Sequence, residues 1–355
     1  MRIGIVNDSP IARESLRRAV VSTSIHQVAW LACDGREAVE KVVADCPDLV
    51  LMDLIMPGVD GVEATRQIMK QTPCRILVVT ATVSGHLGQV YEAMGLGALD
   101  AVETPSIGPT DNMDGASLLL AKIATIGKLI GRAPRIEPTS ASSVATLFAL
   151  GSNHSPVSWN LVVLGASTGG PAAVANVLGD LPDSPDASIV IVQHVDAAFA
   201  PGLARWLGDL THRQIELAVP GERPLPGRVY LAATNDHLIL DRSRRFQYVS
   251  EPMANHYRPS VDVFLLSLVN HWPEPGAAAI LTGMGRDGAL GLFALRQAGW
   301  LTVAQDEATS VVYGMPRAAA EIGAAHLVLP IREIGAAIAE RVRDRSYRIP
   351  GVPRR

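Results

Sequence analysis

The chain has 355 residues, room for two domains at roughly 150 residues each. Apolar residues make up 48% and charged residues 19%, which excludes long disorder and leaves enough apolar surface for two cores. The 31 Lys and Arg against 35 Asp and Glu leave a net charge of −4, the wrong sign for coating nucleic acid, so no nucleic-acid partner is expected.

Two further exclusions concern compartment. The three cysteines are odd in number and all lie before residue 75, so no disulfide framework is expected. The N-terminus (MRIGIVNDSP) lacks the apolar stretch of a signal peptide. No run of about 18 uncharged apolar residues occurs, so no membrane insertion is expected and a reducing cytoplasmic location follows.

Taken in chain order, the first 130 residues alternate strand and helix signals. RIGIVND, HQVAWLAC, DLVLMDL, RILVVTA and ALDAV are short apolar runs closed by polar or turn residues. Between them, segments such as GREAVEKVVADC and GVEATRQIMK carry apolar residues three and four apart. Repeated βα units predict a parallel sheet covered by helices, with any site at the carboxyl ends of the strands. That edge gathers Asn7 and Asp8, Asp53, Thr80, and Thr104 before Pro105. Asp53 beside Asp8 offers hard oxygen ligands suited to Mg²⁺, and a carboxylate can accept a phosphoryl group as an acyl phosphate. Strand-end Asp residues can also merely cap a helix.

Residues 131–158 are rich in Pro, Ser and Ala and read as a linker, though VATLFAL within it could form a short helix. The second domain is expected over 159–345 as a doubly wound, mainly parallel α/β fold, with 346–355 as a loose tail. It opens on NLVVLGASTGGPAAVANVL, an apolar strand running into Gly165-Ala166-Ser167-Thr168-Gly169-Gly170 and then Pro171 at a helix start. Glycines around a serine at a strand-to-helix turn expose the hydroxyl where helix N–H groups can hold an oxyanion. The same turn can bind a phosphate instead. His194 ends SIVIVQH and can take the serine proton; Asp287, after AAAILT, can orient the imidazole. His256 is a second possible base or pocket residue. Arg258 reads as a salt-bridge or positioning group and His237 as a strand-edge residue. His212, His271 and His326 read as structural. No HExxH or spaced Cys/His set points to a hydrolytic metal.

With Asp8, Asp53, Met56-Pro57-Gly58 and Thr80-Ala81 in place, residues 1–130 resemble a flavodoxin-like two-component receiver. The resemblance implies Asp53 as phosphoacceptor, with Mg²⁺ held by Asp8, Asp53 and the carbonyl of Ile55. Three positions depart from the receiver pattern: Asn7 for a second acid, Thr104 for the lysine, and Ala101 for the aromatic switch residue. Both halves together, through GASTGG, VQH, NHYRPSVD, TGMGRDGA, AQDEATSVVYGMP and PGRVYLAAT, resemble the chemotaxis methylesterase (CheB) family, over about 310 residues.

That resemblance implies a phosphorylation-regulated protein-glutamate methylesterase that also acts as a protein-glutamine deamidase. It implies the triad Ser167, His194 and Asp287, with the Met284 N–H at the oxyanion, Thr168 in the pocket and no cofactor for hydrolysis. The implied partners are the cytoplasmic domains of methyl-accepting chemoreceptors and a CheA-type histidine kinase as phosphodonor. Segments of residues 1–105 also resemble the branch of surface-sensing systems. The alternative is a catalytically weak or inactive receptor-binding scaffold of a two-component system.

Overall fold

The computed structural model describes residues 1–23, 25–80, 87–107, 113–114, 116–130, 159–182, 186–252, 257–272 and 274–343. Ala81, His256, the VATLFAL segment and the tail after 345 lie outside the described residues. The chain divides into two compact units, Met1–Gly131 and Arg132–Arg355. No described helix is long and apolar enough to cross a membrane.

In the first unit five strands, β1 (Arg2–Val6), β2 (Gln27–Ala32), β3 (Leu49–Asp53), β4 (Ile76–Thr80) and β5 (Asp100–Glu103), pair in parallel in the order β2-β1-β3-β4-β5. Helices α1 (Pro10–Val21), α2 (Gly35–Ala44), α3 (Gly61–Gln71), α4 (Leu87–Gly95) and α5 (Ala116–Ile130) connect and follow them, with a short two-stranded ribbon of β6 (Ser106–Ile107) and β7 (Met113–Asp114) before α5. Side chains on a strand alternate between faces, and a sheet covered on both faces needs continuous apolar runs. LVLMD and ILVVT meet that need and every residue of both is buried. One face carries Ile3, Ile5, Leu49, Leu51, Leu77 and Val79 into a core shared with Leu16 of α1 and Leu119 of α5. Helix starts follow the sequence: Ser9, Asp34 and Asp60 each accept a first-turn N–H, from Ala12, Glu37 and Glu63.

The second unit is built on a seven-stranded, wholly parallel sheet. Its strands are β8 (Asn160–Ala166), β9 (Ala187–Gln193), β10 (Ile215–Leu217), β11 (Val229–Leu231), β14 (Ala277–Ile280), β15 (Leu301–Gln305) and β16 (Leu327–Leu329), in the order β10-β11-β9-β8-β14-β15-β16. A separate antiparallel hairpin joins β12 (His237–Leu240) to β13 (Phe246–Val249). The helices are α6 (Gly170–Asp180), α7 (Ala200–Thr211), α8 (Val261–His271), α9 (Ala289–Gln297), α10 (Met315–Glu321) and α11 (Ile331–Arg343). Phe264, Leu265 and Leu268 of α8 and Leu292 and Leu295 of α9 bury against Leu161, Val163, Val190 and Ile280 of the sheet.

From β8 the sheet grows towards β9 on one side and β14 on the other. Such a reversal opens a crevice at the carboxyl ends of the strands. The loops leaving β8, β9 and β14 carry Ser167, His194 and Asp287.

Candidate active site and receiver site

Ser167 follows β8 and is buried with Thr168 in the turn before α6. Its N–H donates to the carbonyl of Thr282 at 3.1 Å, and its carbonyl accepts from Gly170 N–H at 2.8 Å. On the neighbouring strand Ala166 pairs with Gln193, and His194 N–H donates to the Ala166 carbonyl at 3.0 Å. Ser167 and His194 are therefore the residues that follow one paired step of the sheet. The wholly buried Gln193 side chain ties the two loops, its Nε2 donating to the carbonyls of Ser167 (2.8 Å) and His194 (3.3 Å).

The Asp287 carboxylate lies 2.7 Å from His194 Nε2, through Oδ2. With a carboxylate as partner, Nε2 carries the ring proton, which leaves Nδ1 as the basic nitrogen. His194 Nδ1 is enclosed and has no hydrogen-bond partner among the described residues. Asp287 is itself held by the start of α8. Oδ2 also accepts from Val261 N–H (2.6 Å), and Oδ1 accepts from Ser260 Oγ (2.8 Å) and Asp262 N–H (3.1 Å). A helix N-terminus offers unpaired N–H groups and a positive dipole end, so it suits a buried carboxylate. Burial pushes the Asp287 carboxyl up, but the His194 hydrogen bond and charge, with the Ser260 and Asp262 donors, outweigh it and hold it below its ordinary value. An Asp before a helix ordinarily caps that helix; Asp287 instead caps α8, and the residue before α9 is Gly288.

The loop after β14 closes the site. Gly283 lies so near the nucleophile turn that a β-carbon there would sit 2.8 Å from Ser167 Cβ and 2.4 Å from Met315 Sδ. Only glycine allows that approach, and it places the half-buried Met284 next along the chain. Thr282 Oγ1 donates to the Thr168 carbonyl at 2.9 Å, and Gln305 Oε1 accepts from Thr282 N–H at 2.8 Å. Arg258 faces Asp236 at 3.7 Å and donates to the Ser250 carbonyl. His212 caps the end of α7, His271 ends α8, and His326 Nδ1 lies 2.8 Å from Thr302 Oγ1.

In the first unit the register aligns Val6 with Met52, bringing Asn7, Asp8 and Asp53 to one edge. Asp53 is buried and Asp8 exposed. Ile55 N–H donates to Asp53 Oδ1 at 3.4 Å, and Asn7 Oδ1 accepts from Ser9 N–H at 2.9 Å. Thr104 N–H donates to the Thr80 carbonyl at 2.9 Å, while the enclosed Thr104 hydroxyl has no hydrogen-bond partner among the described residues. Ala101 is buried within β5. Lys122 is engaged with Asp100 at 2.5 Å. No cluster of three or more His, Cys, Asp or Glu side chains is placed to hold a metal among the described residues. The donors here are two carboxylates and backbone carbonyls. All are oxygen, and they fit a small hard cation that keeps several waters.

Residues 162–338 match the model of the CheB methylesterase family, and residues 3–108 that of the response regulator receiver domain. A protein-glutamate methylesterase/protein-glutamine glutaminase of Burkholderia orbicola is 51% identical over 344 residues, covering 97% of this chain and 100% of the relative. The chain belongs to the CheB methylesterase family. A second member, from Mesorhizobium japonicum, is 53% identical over 342 residues, 96% of this chain and 98% of its own. Among solved structures, the catalytic domain of Thermotoga maritima CheB methylesterase matches with a TM-score of 0.50 and 36% identity, over 52% of this chain and 100% of that one.

Sequence reasoning did not find several residues that build this CheB-type site. Ser260 had a usable signal: a Ser before an apolar helical run is an N-cap pattern, and its hydroxyl accepts from Val263 N–H at 3.3 Å besides donating to Asp287. His237, expected at a strand edge, begins β12 but is wholly buried, and its Nδ1 accepts from Ser260 N–H at 3.2 Å. Tyr257, Gln193 and Thr282 had no local signal, because each acts across a long sequence separation.

Asp262 sets up a stability prediction. The half-buried Asp262 accepts from Gly291 N–H at 2.7 Å and so bridges the starts of α8 and α9, close to Asp287. Burial, and then repulsion from Asp287, push its carboxyl up to about 7 from an ordinary 3.8. A carboxyl raised on folding favours the native state below its unfolded value, and that advantage is lost as pH climbs through the folded one. Asp287 has the opposite sign, its contribution being present above 3.8 and lost on acidification through its lower folded value. Asp262→Asn keeps an acceptor for Gly291 and removes the repulsion. Thermal melts from pH 4 to pH 7 are expected to show the variant gaining Tm relative to the parent as pH rises; parallel curves would remove Asp262 as the cause.

Proposed function

We propose that this chain is a phosphorylation-regulated protein-glutamate methylesterase that also deamidates glutamine, with Ser167 as nucleophile, His194 as general base and Asp287 as the orienting acid. The observation that carries the reading is the 2.7 Å His194–Asp287 pair, anchored on the first N–H groups of α8 and set beside the Ser167 turn. Ser167 Oγ attacks the ester carbonyl as His194 Nδ1 takes its proton. The oxyanion is held by the Met284 N–H, with Thr168 lining the pocket. His194 returns the proton to the departing methanol, or to ammonia when the substrate is an amide. Water then attacks the glutamyl–serine ester, again with His194 as base, and frees a carboxylate.

The substrates are methylated glutamates and glutamines on the cytoplasmic domains of chemoreceptors, and the protein works in the cytoplasm. The chemistry of hydrolysis needs only these side chains. In the first unit Asp53 accepts the phosphoryl group from a CheA-type histidine kinase. Asp8, Asp53 and the Ile55 carbonyl would hold Mg²⁺, which supplies charge neutralisation for the incoming phosphoryl group when bound. Asn7 gives that pocket one charge fewer than a second acid would, and Thr104 offers a hydroxyl rather than a cation.

The direct assay is methanol release from methylated receptor fragments by the full chain. Addition of a small-molecule phosphodonor is expected to raise the rate for the parent and leave Asp53→Asn unchanged. Equal parental rates with and without donor would remove the regulatory part of the reading, and absence of release under both conditions would remove the esterase.

A further inference from the structure

Tyr257, just before the helix that anchors Asp287, touches two parts of the site at once. Its ring lies flat on the His194 imidazole, with centroids 4.4 Å apart and planes 9° from parallel. Its hydroxyl donates to the Met284 carbonyl at 3.4 Å. The loop is shaped to receive it: at Gly285, where φ is +90°, a β-carbon would come within 2.2 Å of the Tyr257 oxygen. Burial, reinforced by the nearby charge of Asp287, pushes the phenol up to about 12, so it stays protonated and a donor at neutral pH.

We infer that Tyr257 is a positioning residue of the esterase, holding the plane of the base with its ring and the oxyanion loop with its hydroxyl. This deepens the esterase reading above and rests on it. The Asp287 carboxylate fixes one end of the imidazole through Nε2. One hydrogen bond leaves the ring free to swing about the line of that bond. A parallel aromatic surface removes this freedom and fixes the direction in which Nδ1 faces. Stacked aromatic pairs attract enough to bias a ring orientation several-fold. The hydroxyl acts on a separate group. By holding the Met284 carbonyl, it fixes the peptide run that presents the Met284 N–H.

The test uses the full chain and two kinds of measurement. In steady-state methanol release, Tyr257→Leu is expected to lower kcat by about 10–100-fold with KM within about twofold, since misplacement of reacting groups acts on the chemical step. Tyr257→Phe keeps the ring and is expected to lose only a few-fold. The second measurement is the imidazole NMR pattern of His194, assigned by its disappearance in His194→Gln. The parent is expected to show a single Nε2–H tautomer and upfield-shifted ring protons under the tyrosine face. In Tyr257→Leu the upfield shift should vanish and the tautomers should mix.

Unshifted ring protons in the parent would overturn the inference without any Tyr257 variant. A kcat for Tyr257→Leu within twofold of the parent would overturn it as well. If Tyr257→Leu does not melt cooperatively, Tyr257→Met carries the same kinetic test. If the parent releases no methanol, the esterase reading fails, while the His194 spectrum still decides whether Tyr257 positions the ring.

Discussion

Ser167→Ala is expected to lower methanol release by about 10³-fold or more while leaving Tm within about 1 °C of the parent. The chemical loss follows from the mechanism, since without the hydroxyl no glutamyl ester forms and the remaining groups can only assist water. The small stability effect follows from the structure. Ser167 is held by its backbone, through its N–H on Thr282, its carbonyl on Gly170 and its carbonyl on Gln193. Alanine keeps all three, and its methyl occupies the position of the existing β-carbon against Gly283. Equal loss of activity and of Tm would instead mark Ser167 as structural. Undiminished release would remove Ser167 as the nucleophile.

Asp287 should behave differently, losing activity and stability together. Its carboxylate is buried and takes donors from Ser260, Val261, Asp262 and His194. Asp287→Ala strands those donors away from water, and breaking such a buried arrangement costs on the order of 3–5 kcal/mol. Asp287→Asn keeps the shape but has one acceptor oxygen for two sides of donors. If the amide nitrogen faces His194, the imidazole must carry its proton on Nδ1, where the base should be free. In either orientation the counter-charge to the imidazolium is gone. A kcat loss of about 10⁴-fold is expected for the Asn variant, with a smaller fall in Tm than for Ala. Kinetics and thermal melts on both variants check this, and Asn activity within tenfold of the parent would remove Asp287 from the mechanism.

Much of this architecture was legible because apolar runs stop where chemistry-bearing residues begin. LVLMD, NLVVLGA and SIVIVQ are buried along their whole length, as strands covered on both faces must be. In such a sheet the residue that ends or follows the run reaches the carboxyl edge, as Asp53 does at the end of LVLMD and Ser167 and His194 do just after theirs. What was not legible depends on contacts that skip tens of residues. Nothing local marks Asp287 as the cap of a helix that begins 26 residues earlier, at Val261. Nor does NHYRPSVD mark its tyrosine as the surface beneath an imidazole 63 residues away. His237 misled because a histidine opening a short strand looks peripheral. Its burial follows from the hairpin packing over α8, where Ser267 Oγ accepts from Leu240 N–H at 3.0 Å.

Most of the grip on Asp287 comes from peptide N–H groups and a serine hydroxyl, rather than from charged side chains. Main-chain donors survive every point substitution except proline, so the acid should tolerate sequence drift around it. Its weak point is then expected to be the first turn of α8, whose opening would release the carboxylate. Hydrogen exchange at Val261 and Asp262 should therefore track the loss of hydrolysis on warming more closely than exchange in β8 does.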